Sequence, residues 1–388
     1  MAFQNALNKV FSSLADLFRV PTASAYCQAR LKLKPELFAH LNEIVCQDFY
    51  RLAGEEGSLQ LWRGHRLLAC DGTYLTLPDN SDTRAQFSVQ TNQYLEADCV
   101  QALSCLLYDL MNDLGLRAAL GKRQGEKHLL FAELWQATEP GDVVVFDRGY
   151  CDYTVLAYGQ ASNRDVIARL PQRRWSQTRQ FWQSQAVEQI ITLRCPPTAR
   201  EFVQQQKLSE SLRVRLIRVK LDDGTQEVLV TTLLDKKAYP ALEFKQVYGW
   251  RWREETYFDR IKNIFEVERF SGESVIAIKQ DFYGVIFLAS LESVLSNSDE
   301  EELKEEGERR GTETVPRVNQ AVSYVALVDR VVELLVGQKE VEEVLKELHH
   351  LFKKNPTRAR PGRHKERNKQ LRYAYRLRFH KYVKKLLA

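Results

Sequence analysis

The stretch Asp142-Val143-Val144-Val145-Phe146-Asp147-Arg148-Gly149-Tyr150 decides the fold: a short apolar run closed at each end by an acid, directly after the break at Pro140-Gly141. A run without polar alternation reads as a strand covered on both faces, the place of a parallel strand inside a sheet. Strands disfavour a carboxylate, so Asp147 at the end of this one calls for a reason. Working outward, Arg66–Leu77 (RLLACDGTYLTL) reads as a strand with Asp71-Gly72 in its middle. Val100–Asp109 and Leu114–Leu120 read as two more, with Asp113 and Gly115 as the hairpin signal between them. Glu126–Ala137 has helical spacing through Leu129, Leu130 and Leu134; Tyr153–Gln160 reads as a helix and Val166–Leu170 as a strand. Three strands followed by helix, strand, helix, strand predict an α/β domain with a mixed sheet.

Residues 172–238 have another texture. Strand-like runs at Ala186–Leu193, Leu212–Leu221 and Val228–Leu234, with Asp222-Asp223-Gly224 as a turn, predict a β-rich insertion before helix resumes near Leu242. Upstream, Ala6, Val10, Phe11, Leu14 and Leu17/Phe18 recur at helical spacing. A second short helix from about Ser24 to Arg30 and a third opened by Pro35 follow. These three helices suit either a helix-turn-helix module presenting Tyr26, Gln28, Arg30, Lys32 and Lys34, or a plain helical cap. The acidic run Asp299–Glu302 with Glu305, Glu306 and Glu308 reads as a solvated linker or helix face, and Val318–Val336 as an amphipathic helix. The expected divisions are 1–58 (helical, N-terminal), 59–171 (sheet core, first part), 172–240 (β-rich insertion), 241–295 (core, second part) and 296–388 (helical, with a basic tail).

A length of 388 residues exceeds what one hydrophobic core serves, and 44% hydrophobic with 28% charged residues is the balance of a globular chain. No stretch approaches the roughly 18 apolar residues of a membrane span, and the first residues lack a signal-peptide core. Seven scattered cysteines without a CxxC pair argue against a disulfide framework or zinc site and fit a reducing cytoplasm. From Lys353 to the end there are 14 Lys/Arg against the single acid Glu366, a net +13, which leaves −8 for residues 1–352 of a chain whose total is +5. Such a tail, with Tyr373, Tyr375, Phe379 and Tyr382 interleaved, is either an electrostatic footprint for nucleic acid or a second subunit, or a solubilising extension.

On a helical wheel of ~100° per residue, Tyr248–Lys262 (YGWRWREETYFDRIK) places Tyr248, Arg251, Glu255 and Lys262 within one polar stripe flanked by Trp252 and Asp259. Trp250, Tyr257, Ile261 and Ile264 form the opposite, core-facing seam, and Glu254 lies nearer that seam. An ordinary solvated face with an Arg251–Glu255 pair is the plain alternative. Asp71, Asp147 and Glu255 together change that balance. Three carboxylates without a histidine cluster are hard oxygen donors suited to magnesium or manganese. Two such ions activate a water or hydroxyl and stabilise the leaving oxygen of a phosphodiester, while Arg251 and Lys262 serve as phosphate clamps. Asp259 stands as an alternative third acid. Arg148 either holds phosphate or pairs with a neighbouring acid, and His65 and His128 read as surface or packing residues. There is no GxSxG, GxGxxG or GxxxxGK[ST].

Asp71-Gly72-Thr73, Asp147-Arg148-Gly149-Tyr150 and the spacing Y-x2-R-x3-E-x6-K over Tyr248, Arg251, Glu255 and Lys262 resemble the DDE transposases of the IS-four insertion-sequence group. The resemblance covers roughly residues 20–295, and Arg360-Pro361-Gly362-Arg363 looks like a C-terminal element of that group. It implies a ribonuclease-H-like mixed sheet interrupted by the β-rich insertion, with Asp71, Asp147 and Glu255 holding two Mg2+ ions, or Mn2+ in their place. It implies Tyr248, Arg251 and Lys262 on DNA phosphates, with Trp252, Arg148, Arg30, Arg360 and Arg363 as further DNA-binding candidates. Trp252 is then either a wedge for a base flipped from the stack or a core residue. The implied reaction is cut-and-paste: water nicks one strand, the freed 3′-OH attacks the other strand to close a hairpin, the hairpin is hydrolysed, and the 3′-OH joins target DNA. The implied partners are double-stranded inverted repeats and target DNA, with a homodimer bridging paired ends at a bacterial nucleoid. A nuclease of the same fold without strand transfer, and a domesticated DNA-binding protein without catalysis, are the alternatives.

Overall fold

The computed structural model of the chain describes residues 2–12, 19–90, 99–123, 125–221, 224–311, 314–337 and 339–358. Leu14, Leu17, Phe18, the Asp222-Asp223 turn, Arg360, Arg363 and nearly all of the basic tail lie outside them. Two compact units emerge: Ala53–Thr73 with Leu103–Phe258, and Met1–Leu52 with Tyr74–Ala102 and Asp259–Ala388.

The first unit is built on a mixed sheet. Its strands are β1 (Leu67–Thr76), β3 (Cys99–Asp109), β4 (Leu114–Gly121), β5 (Val143–Phe146), β6 (Asp165–Arg169), β7 (Glu188–Arg194), β8 (Ser211–Lys220) and β9 (Gln226–Thr231), β2 (Ser88–Gln90) belonging to the second unit. The spatial order is β4-β3-β1-β5-β6-β9-β8-β7. β5 runs parallel to both neighbours, pairing Val143 with Leu67 on one side and with Asp165 on the other. That is why Val143–Phe146 carries no polar residue: every side chain in it is fully buried. Arg66 clamps the start of the β1–β5 pair through Asp142, at 2.8 and 2.6 Å. β3 and β4 form the expected antiparallel hairpin. This is the mixed α/β sheet that the order of strands and helices predicts.

Three expectations need refinement. The insertion strands β7, β8 and β9 form an antiparallel meander, but they do not stand apart: β9 pairs with β6 through Ile167–Thr231 and Arg169–Leu229, so they lengthen the core sheet. The helix expected over Glu126–Ala137 is one α turn (Glu126–Leu129), a π turn (Leu130–Leu134) and a 3-10 turn (Trp135–Ala137). Widening and retightening let Trp135 stack on Phe146, with ring centroids 6.5 Å apart, while its indole N–H reaches Ser162. His65 packs between Trp62 and Tyr239 and bonds Gly141 O and Tyr239 Oη, a packing residue.

In the second unit, short helices cover Ala2–Ser12 and Ala23–Lys32, the latter capped by Thr22, and a longer one covers Glu36–Glu56 up to the unit boundary. β2 pairs with the first residues of β3. The acidic run lies within a 35-residue helix, Val275–Arg309. Asp299 in it is buried, held by His349 at 2.7 Å and Lys353 at 3.6 Å. Helices Gln320–Val336 and Val341–Lys354 pack on this long helix around Leu303, Leu327, Leu348 and Phe352. Among the described residues no helix is long and apolar enough to cross a membrane.

Candidate active site

The β1–β5 register ends on Cys70 opposite Phe146, so the next residues, Asp71 and Asp147, leave neighbouring parallel strands side by side. Adjacent strands lie about 4.8 Å apart, which puts two carboxylates in mutual repulsion. Asp71 is held by the N–H of Gly72 at 2.8 Å, with its side chain 27% exposed. Burial pushes its carboxyl up to about 6; the Gly72 N–H and Arg251 pull it down, and Asp147 and Glu126 push it up. Gly72 is the residue that fits here, because a Cβ would meet Glu126 Oε1 and Leu103 Cδ1 at 3.2 Å and Cys105 Sγ at 3.4 Å. Gly149, beside Asp147, faces open space.

The segment expected as one helix is broken at Arg251 into Phe244–Trp250 and Trp252–Asn263. Tight three-residue bonds span the break, Arg251 N–H to Tyr248 O at 3.2 Å and Glu254 N–H to Arg251 O at 3.1 Å. Tyr248 and Arg251 of the polar stripe are each 5% exposed; of the expected core seam Tyr257 and Ile261 are buried, whereas Ile264 is 37% exposed. Tyr248 donates its hydroxyl to Asp147 Oδ1 at 3.3 Å. Burial, opposed by Arg251 and reinforced by Asp147, holds that phenol protonated well above its ordinary range. Arg251 donates to Glu255 Oε1 at 3.0 Å and lies 3.6 Å from Asp71 Oδ2, so one guanidinium ties two of the three expected acids together. Trp252 lies under the same guanidinium, 5.2 Å from ring to Cζ, and is 59% exposed, so it is no core residue.

Asp71, Asp147, Tyr248, Arg251 and Glu255 are thus linked in one place. The three acids do not meet at a single point: among the described residues no three His, Cys, Asp or Glu side chains are grouped to hold an ion, because Arg251 takes the position between Asp71 and Glu255. Arg148 is exposed and lines an open cavity of about 210 Å³ with Arg169, Gln172, Trp182, Gln226 and Glu227. Lys262 and Asp259 belong to the second unit; Lys262 donates to Tyr74 O at 2.8 Å and Asp259 accepts from Asn263 at 2.6 Å. Arg30, also in that unit, donates to Gln280 at 2.7 Å, Ala277 O at 3.2 Å, Asp281 at 2.9 Å and Ser271. Its guanidinium fastens one helix to another.

Two further acids belong to the site: Glu126, which the sequence reading missed, and Glu254, which it placed near the core seam without a role. Glu126 opens the α turn beside Gly72, and burial raises its carboxyl, with Lys127 opposing. Glu254 is fully buried; neither of its oxygens has a partner within hydrogen-bond distance, although the Asp71 N–H lies close enough to favour the charged form. Burial first, then Asp71, push it well above the usual carboxylate range. The wheel position of Glu254 near the core seam was the available signal, since a carboxylate seldom belongs there.

A family model described as the transposase DDE domain matches residues 62–291. The transposase InsG for insertion sequence element IS4 of Escherichia coli (strain K12) is 24% identical over 270 residues, 69% of this chain. The match spans 60% of that relative, less than two thirds of its length. Among solved structures, a cryo-EM structure of the piggyBac transposase synaptic complex with hairpin DNA is similar at a TM-score of 0.38 and 9% identity, covering 80% of this chain and 62% of that one.

Proposed function

The chain belongs to the transposase DDE-domain family, and from that premise we propose that it is a metal-dependent DNA transposase that excises an insertion sequence and joins it to target DNA. The observation that carries this is the β1–β5 register: it sets Asp71 beside Asp147 at the end of a buried parallel pair, with Glu255 tied to Asp71 through Arg251. The donor set fits a hard divalent cation, since Asp71, Asp147 and Glu255 offer only oxygen and Asp71 is crowded by negative neighbours. These three residues would hold Mg2+, or Mn2+ in its place, which supplies an activated water or hydroxyl and a stabilised leaving oxygen.

The chain's own residues do the rest. Tyr248 orients Asp147 through its hydroxyl and remains a donor at neutral pH. Arg251 neutralises the acids and offers phosphate a forked donor. The exposed ring of Trp252 stacks on a base displaced from the duplex, and Arg148 and Lys262 hold backbone phosphates. The steps are strand nicking, hairpin closure by the freed 3′-OH, hairpin opening and strand transfer, on inverted repeats bridged by two protomers. Incubation of the protein with candidate transposon-end DNA and Mg2+, resolved on a denaturing gel, tests the order. Nicked, hairpin and joined products support it. Hydrolysis products alone favour a nuclease without strand transfer. Cleavage that survives Asp147→Ala removes the active-site assignment, and DNA binding without any cleavage favours a domesticated binding protein.

A further inference from the structure

Resting on that metal-dependent reading, we propose that Glu254 is a positioning residue for Arg251, the partner its guanidinium takes when Asp71 and Glu255 take up a divalent ion. Unmet polar atoms at the turn between the two helices carry this. Glu254 is 0% exposed, and neither carboxyl oxygen makes a well-formed hydrogen bond, with the Asp71 N–H a donor close by; Arg251 is 5% exposed, and its Nε and Nη1 lack a hydrogen-bond partner. Only Nη2 is committed, to Glu255 at 3.0 Å, while Nη1 reaches Asp71 at 3.6 Å, beyond a hydrogen bond. Arg251 and Glu254 are three residues apart, joined by the Glu254 N–H to Arg251 O bond of 3.1 Å, a spacing that puts side chains on the same face about 5–6 Å apart. The guanidinium already lies near enough to act electrostatically on the Glu254 carboxyl, and two of its nitrogens have no hydrogen bond.

Burying a carboxyl unpaired is costly, and an apolar residue of similar volume would fill the position without that cost. In the arrangement described, the guanidinium screens Asp71 from Glu255. A divalent ion held by these acids would supply that screening itself and would repel a guanidinium left beside it. At 5% exposure, donors of Arg251 freed from the acids need a partner within the site. Glu254 offers the acceptor, and a carboxyl accepts through its carbonyl oxygen in either protonation state.

Titration calorimetry of the full chain with Mn2+ alone, paired with thermal unfolding in chelator, tests this. Glu254→Leu is expected to unfold no earlier than the wild type without metal and to bind Mn2+ about tenfold or more weakly, because the displaced guanidinium has no partner. Glu254→Gln, which keeps an acceptor oxygen but no charge, is expected to fall between the two. Undiminished Mn2+ affinity in folded Glu254→Leu overturns the proposal; should that variant not fold, undiminished affinity in Glu254→Gln does so. A loss of thermal stability equal with and without Mn2+ marks a merely structural carboxyl and also overturns it. Asp71→Asn separates the two levels. Binding lost in Asp71→Asn but intact in Glu254→Leu sinks only the role of Glu254, whereas binding that survives Asp71→Asn sinks the metal reading and this inference with it.

Discussion

Asp71→Asn is expected to destroy cleavage and yet stabilise the protein, by an amount that depends on pH. Burial raises the Asp71 carboxyl from 3.8 to about 6, so between those values the folded chain binds a proton that the unfolded chain has released. Stability from this group is therefore fully present below 3.8 and is lost as pH rises through about 6. At 1.36 kcal/mol per pH unit the loss is about 3 kcal/mol, and the 27% exposure of the side chain trims it to about 2–3 kcal/mol. Asparagine mimics the protonated form, and its amide oxygen still accepts the Gly72 N–H bond. Urea unfolding of both proteins in chelator from pH 4 to 8 should show the stability of Asp71→Asn pulling ahead by about 2–3 kcal/mol, most of it gained between pH 4 and 6. A gap that stays constant over that range would refute the reasoning, because the cost would then not come from ionising a buried carboxyl.

Trp252→Ala should weaken binding to transposon-end DNA by about 1–3 kcal/mol in fluorescence anisotropy, the range for a base stacked on an aromatic ring. At 59% exposure its effect on urea unfolding should stay within about 0.5 kcal/mol. Gly115→Ala would bring a Cβ to 2.6 Å from the Tyr257 hydroxyl, so unfolding should show about 1–3 kcal/mol of destabilisation, partly restored in the double variant with Tyr257→Phe. Removing residues 359–388, which hold 11 of the chain's Lys/Arg and one acid, should flatten the dependence of DNA affinity on salt; an unchanged slope would assign the tail another task.

What could be read beforehand followed from local rules. A bare valine run between acids can only be a strand covered on both faces, and β5 is that strand. The spacing of Tyr248, Arg251 and Glu255 pointed to side chains acting together; Tyr248 bonds Asp147, and Arg251 joins Glu255 to Asp71. The break at Arg251 was not legible, because a wheel assumes a continuous 3.6-residue turn and Trp250, Arg251 and Trp252 all tolerate one. Alternation marks β7, β8 and β9 as strands but says nothing about which edge they join, so β9 pairing with β6 was open. The burial of Asp299 depends on His349 and Lys353, some fifty residues away, and no window over the acidic run contains them.

The buried acids and the buried Arg251 belong to one electrostatic arrangement. A parallel pair whose register ends on Cys70 and Phe146 delivers two carboxylates to one sheet end, and their repulsion grows as packing excludes water. Glu126 and Glu254 add acid to the same surroundings. A cation among these acids relieves that repulsion, as protonation of the most buried ones does too. Arg251 is that cation: its guanidinium is at 5% exposure, within 3.0 Å of Glu255 and 3.6 Å of Asp71. Without metal, then, replacing Arg251 should cost more stability than removing any one acid, since each lost acid relieves repulsion while the lost cation leaves several carboxylates facing one another.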